Sequence, residues 1–201
     1  MKTGAIICLE GIDGCGKDTQ LPLLGEWLTG VGREVKLFNF PDYDGPLGAP
    51  LREALRDPDY EPHALQMLFS AERMRQLPKL NRTIAGGTIA LTNRYRWTSF
   101  VYSVARGLER EWAEPLELPL PTPALTILID IDVPTSLKRT GGTDVLERDV
   151  DMLARCRELY IGLAERFGDS WVIVDGTGEV DEVAEVVRGA VHNKLMKTPQ
   201  V

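Results

Sequence analysis

An excess of basic charge is the first thing this sequence lacks. Its 201 residues carry 30 acidic and 23 basic side chains, a net charge of −7. Such a balance argues against a long cationic groove for polymeric nucleic acid. A small anionic substrate would have to be held by a few local arginines. No apolar run approaches the length needed to span a membrane. Met1 and Lys2 lead directly into a first strand, so no signal peptide is expected. The three cysteines, Cys8, Cys15 and Cys156, have no metal-ligand spacing and read as reduced thiols of a cytoplasmic protein. There is no internal repeat and no composition break that would mark a second domain. A hydrophobic content of 43% suffices for one sizeable core, so residues 1–201 are expected to form one domain.

What is present is organised around AIICLEGIDGCGKDTQ, residues 5–20. A short apolar strand ends at Glu10, and Gly11, Gly14 and Gly16 then precede Lys17 and a helical pattern. This is the glycine-rich phosphate loop in its strand–loop–helix context. Without Cβ atoms at Gly11, Gly14 and Gly16, backbone N–H groups around Asp13 and Cys15 can converge on phosphate oxygens. The helix N-terminus adds a favourable dipole, and Lys17 a point charge for the β and γ phosphates. The spacing therefore predicts a nucleoside triphosphate site. Asp18 stands where the motif has Ser or Thr to hold Mg²⁺. Its carboxylate is either a direct hard-oxygen ligand or a favourable acid in the first helical turn. Thr19 is a candidate to take the hydroxyl role through water.

The remaining chain alternates short apolar runs with helical patterns. Strands are expected at 34–40, 88–92, 125–131 and 171–174. Helices are expected at 19–30, 47–55, 62–84, 97–107, 134–139, 145–167 and 179–195. Pro22 should bend the first helix unless it lies in its first turn, and Pro78 marks an expected interruption of the third. Residues 111–123 are proline-rich and acidic and read as a surface connection with one helical turn. The alternation predicts an α/β fold, a five-stranded parallel sheet covered by helices on both faces. Ligands in such sheets gather at the carboxyl ends of strands, and every unusual motif follows a strand. These are the phosphate loop, Phe40-Pro41-Asp42-Tyr43, Asn93-Arg94-Tyr95 and Asp175-Gly176-Thr177-Gly178.

Phe69 and Arg73 are four residues apart on the long third helix and share a face. A ring there can stack on a base while a guanidinium addresses its edge; equally, Phe69 reads as a core aromatic and Arg73 as a surface cation. Arg94 can hold a phosphate in bidentate fashion or stand solvated. With LEGIDGCGKDTQ, MLFSAERM, NRYRWTSFVYSVAR, LPLPTPALTILIDI, LKR, VLERD and VDGTG in this order, the chain resembles the thymidylate kinases. These are P-loop nucleoside monophosphate kinases.

The resemblance implies transfer of the ATP γ-phosphoryl group to the 5′-phosphate of dTMP, with Mg²⁺, by a homodimer built on helices 62–84 and 95–107. It implies that Phe69 stacks on the base, Arg73 and Ser99 address its edge, and Tyr102 lies under the deoxyribose. It further implies that Arg94 holds the acceptor phosphate with Phe40 and Tyr43 near it, and that Asp13 lies near the sugar. Arg139 would pack on adenine, whose edge meets Asp175, Gly176 and Thr177, and residues 140–146 would form a short lid. The chain departs from the family at Asn93, where an aspartate is usual, at Asp42, where an arginine is usual, and at Ala124. Gly14 carries no side-chain cation, so Arg148 or Arg139 would have to supply positive charge to the transferring group. Two other functions remain open at this point: a kinase of another deoxynucleoside monophosphate, and a catalytically weak nucleotide-binding regulator.

Overall fold

The computed structural model describes residues 4–141 and 149–195. Five strands form one parallel sheet: β1 (Ala5–Glu10), β2 (Val35–Asn39), β3 (Ile89–Asn93), β4 (Leu125–Asp130) and β5 (Trp171–Asp175), in the order β2-β3-β1-β4-β5. The three central strands are almost wholly buried, as their unbroken apolar runs require once both faces are covered. The edge strands β2 and β5 mix buried and exposed positions. Along β1, Ile7 and Leu9 pack into the larger hydrophobic cluster, while Ile6 and Cys8 pack with Phe38, Leu80 and Tyr95. This alternation is the period of two expected of a strand between two helical layers.

The helices are α1 (Lys17–Gly30), α2 (Gly48–Arg56), α3 (Pro62–Ala85), α4 (Arg96–Ala105), α5 (Arg110–Ala113), α6 (Val133–Thr140), α7 (Val150–Phe167) and α8 (Val180–Leu195). Local chemistry fixes several starts. Glu61 accepts from the Ala64 N–H at 2.7 Å ahead of Pro62 at the first helical position, and Asp132 and Asp149 cap α6 and α7 through the N–H groups of Thr135 and Met152. Gly141 ends α6 in the left-handed conformation.

One expectation needs correcting. α3 runs through Pro78 without a break. Leu80 is buried among Phe38 and Tyr95, with Met74 and Leu77 packed alongside. Burial on both sides of the proline outweighs the one hydrogen bond it removes. α1 likewise continues through Pro22, which lies beyond its first turn. Residues 111–123, expected as a surface connection with one helical turn, contain most of α5 and a 3₁₀ turn at Glu114–Glu117; the fully buried Glu117 that ends this turn departs from the surface reading.

The topology positions the site. β1 lies at the centre of the sheet, so the phosphate loop emerges between the ends of β3 and β4. Leu9 is in register with Asn93, and backbone bonds continue past the strand ends from Arg94 N–H to Leu9 C=O and from Gly176 N–H to Asp130 C=O. The motifs after β1, β2, β3 and β5 thus share one rim.

Candidate active site

The phosphate loop is folded by its glycines. Gly11, Gly14 and Gly16 all adopt positive φ, at 141°, 72° and 102°. At Gly14 a Cβ would also lie 3.0 Å from the Ser136 carbonyl oxygen and 2.9 Å from Thr140, so the loop can lie against α6 only without a side chain. Lys17 is buried and its Nζ donates to the carbonyls of Gly11 and Ile12, each at 2.9 Å, with Cys15 Sγ at 3.3 Å. The lysine therefore also braces the loop that it serves. Asp18 and Thr19 stand exposed in the first turn of α1.

Asn93 ends β3 beside this turn, and its Nδ2 donates to Asp18 Oδ1 at 2.6 Å. Its own Oδ1 is buried without a hydrogen-bond partner. The next residue, Arg94, holds φ at 59°, an uncommon posture for a residue with a side chain. Two contacts maintain this turn: Arg94 N–H donates to Leu9, and Tyr95 N–H donates to the carboxylate of fully buried Glu10 at 3.0 Å. Glu10 also accepts from Thr98 and from the Tyr160 hydroxyl. The Arg94 guanidinium pairs with Asp13 and lies over the Tyr102 ring, while the Tyr102 hydroxyl donates to the other Asp13 oxygen at 2.8 Å.

Electrostatics follow from this triangle. Burial pushes the Asp13 carboxyl up, but Arg94, Lys17 and the Tyr102 hydrogen bond together hold it below its ordinary value. Burial opposes the Arg94 charge, yet Asp13 beside it lifts that guanidinium well above the usual value. Burial also raises Tyr102 well above the usual phenol, so it remains a donor.

A cavity of about 450 Å³ opens from this point. Asp13, Phe40, Tyr43, Phe69, Arg73, Arg94, Ser99 and Tyr102 all line it, so the structure brings every predicted acceptor-side residue to one space. Asp18 and Asn93 line it as well. Phe40 is packed on Phe38 and Tyr95, and Tyr43 carries Arg52 against its ring. Asp42 takes a hydrogen bond from Arg75 at 3.0 Å, so an arginine from α3 reaches the position where the chain itself has lost one.

Sequence reasoning named Arg73 and Ser99 but missed the network that holds them beneath this cavity. Arg73 is 3% exposed and paired to Glu117, itself fully buried. Gln66, Ser70 and Ser103 join the same network. Nothing local in the sequence marks Glu117, which stands with Glu111 and Glu114 in an acidic, proline-rich connection. Arg106, one turn beyond Tyr102, also lines the cavity, and burial lowers its guanidinium.

On the other side of the phosphate loop, Arg139 donates to the carbonyls of Gly176 at 2.9 Å and Gly14 at 3.4 Å. Asp175 accepts from the backbone and hydroxyl of Thr177, which closes the turn after β5 and holds the Asp175 carboxyl below its usual value. The predicted donor-side residues that are described therefore surround the loop. Arg148 and the lid beyond Gly141 lie outside the described residues.

The family model described as thymidylate kinase matches residues 9–187. The chain belongs to the thymidylate kinase family. It is 33% identical over 204 residues to a probable thymidylate kinase of Thermococcus onnurineus strain NA1, covering 95% of this chain and 98% of the relative. A probable thymidylate kinase of Methanobrevibacter smithii is 33% identical over 189 residues, 92% and 93% of the two chains. A thymidylate kinase of Arabidopsis thaliana is 29% identical over 193 residues, 96% of this chain and 72% of that protein. Membership of this nucleoside monophosphate kinase family agrees with the parallel sheet and its central phosphate loop. Among the described residues no helix is long and apolar enough to cross a membrane.

Proposed function

We propose that this chain phosphorylates dTMP to dTDP with ATP as donor. The observation that carries the reading is the continuity of two spaces. The cavity floored by Arg73 and Ser99 ends at Asp13, Asp18 and Arg94, beside the phosphate loop. A monophosphate whose base lies at the floor would therefore present its phosphate to the loop. In this reading Phe69 stacks on thymine, Arg73 and Ser99 address its edge, and Tyr102 lies under the deoxyribose. Arg94 holds the acceptor phosphate in a fixed position, and Lys17 with the loop N–H groups holds the triphosphate. Arg139 and the turn at Asp175–Thr177 form the adenine side.

Little covalent work falls to the protein in such a transfer; alignment and positive charge lower the barrier. Mg²⁺, when bound, neutralises phosphate charge at this site. The donor set suits it: Asp18 offers an exposed carboxylate, which the Asn93 amide holds in place. Among the described residues no cluster of three or more His, Cys, Asp or Glu is poised for a metal. Asp18 would hold Mg²⁺, with Asn93 orienting the carboxylate. Arg139 and Arg148 remain the candidate cations for the transferring group.

The proposal extends to a cytoplasmic homodimer of single-domain protomers spanning 1–201, with a lid at 140–146. The test is an ADP-release assay across the common nucleoside monophosphates with Mg²⁺ varied. Preferred turnover of dTMP supports the reading; binding without ADP release, or preference for another acceptor, overturns it.

A further inference from the structure

The base-edge arginine is not free to orient itself. Arg73 Nε donates to Glu117 Oε2 at 3.0 Å, and Nη2 donates to Glu117 Oε1 at 2.5 Å and Ser70 Oγ at 3.2 Å. Nη1 donates to Ser99 Oγ at 2.5 Å. An arginine has five N–H hydrogens, and these contacts use four, leaving one on Nη1. Ser99 accepts from Arg73, so its own hydrogen is left to donate.

The polarity of the whole floor propagates from Glu117. Its Oε1 also accepts from Gln66 Nε2 at 3.0 Å and Ser70 Oγ at 3.3 Å, which turns the Gln66 Oε1 toward Ser103 Oγ at 2.6 Å. Every one of these groups is buried. A carboxylate is the acceptor-only group at the end of the chain, so the donors at the other end face the cavity. The surface presented there is a guanidinium hydrogen beside a hydroxyl hydrogen.

We infer that Glu117 is a positioning residue that sets the acceptor specificity: by clamping Arg73 it commits the cavity floor to donating. The substrate class that suits this floor is the 5′-monophosphate of a 4-oxo pyrimidine deoxynucleoside, whose O4 accepts. A 4-amino pyrimidine would bring a donor against donors. This inference rests on the reading of the cavity as the dTMP pocket.

Glu117→Gln keeps shape but adds an NH₂ donor toward Arg73, so the guanidinium must turn. The measurement is kcat/KM for dTMP and dCMP on the same preparation, because any loss of folded enzyme cancels in their ratio. For Glu117→Gln the dTMP:dCMP ratio should fall about tenfold or more, through a raised KM for dTMP with kcat nearly kept. Glu117→Asp, which retains charge but reaches less far, should give an intermediate ratio. Arg73→Gln serves as the control for the pocket itself. If Arg73→Gln lowers the ratio and Glu117→Gln leaves it unchanged, the positioning role is overturned while the pocket reading stands. If neither variant moves it, the pocket reading falls and the inference falls with it. Should Glu117→Gln fail to fold by thermal melt, Glu117→Asp carries the test, and a wild-type ratio overturns the role.

Discussion

The amide of Asn93 and the carboxylate of Asp18 are joined across 2.6 Å, from the end of β3 to the first turn of α1. The residue pair that departs from the family pattern is thus one physical unit. If the two share one ion, Asp18→Ser should lower activity and raise the Mg²⁺ requirement, and adding Asn93→Asp should restore part of the loss. A double-mutant cycle in kcat/KM at several Mg²⁺ concentrations measures the coupling. Strictly additive effects would sink the idea of a shared ion.

Lys17 has two tasks, and they separate experimentally. Lys17→Ala should lower phosphoryl transfer by about 10²-fold or more, because a charge aimed at the transferring group is lost. It also removes the donors to Gly11 and Ile12, so stability should fall by about 1 kcal/mol. Near-normal turnover in this variant would refute the phosphate-loop assignment.

The acid limb of stability should report Asp13. Its folded-state pKa is depressed, so its contribution is complete above the ordinary carboxylate value and is lost as pH falls through the lower folded value. Denaturant unfolding of the wild type and Asp13→Asn from about pH 6 to about pH 2.5 measures this. The stability gap between them should hold at the upper end and narrow below the ordinary value of about 3.9. A gap independent of pH would show that the Arg94–Asp13 pair contributes nothing through ionisation.

Assembly is testable by light scattering at micromolar concentration. Met67 on α3 and Leu118 just after the 3₁₀ turn are large apolar side chains left more than half exposed. A homodimer through α3 and α4 would cover such surface, and replacing Met67 with Lys should shift it toward monomer. A monomeric wild type would contradict the proposed assembly.

The phosphate loop was legible in the sequence because backbone geometry dictates its glycines, and the strands because the central ones are continuous apolar runs. The alternation of strands and helices made the parallel sheet legible; within it β1 pairs with β3, which joins Asp18 to Asn93. Two things were not legible. Pro78 advertises a break, yet the burial that overrides it comes from β2 and from Tyr95, far away in the chain. Glu117 lies 44 residues beyond Arg73 in a stretch whose prolines and acids read as solvated surface. Local pattern carries no record of a partner that reaches a side chain only through the tertiary fold.

Arg94 carries a consequence for the timing of an entropic cost. A guanidinium on a relaxed surface helix would have to be ordered by each substrate that arrives, at up to about 2 kcal/mol for the side chain. Here the left-handed backbone, the Glu10 contact to Tyr95 and the pair with Asp13 freeze it when the chain folds. The backbone posture itself costs about 1–3 kcal/mol, and the surrounding contacts must offset it. That expense falls once, on folding, so an arriving phosphate meets a charge already oriented, and none of its binding energy is diverted to orienting the arginine.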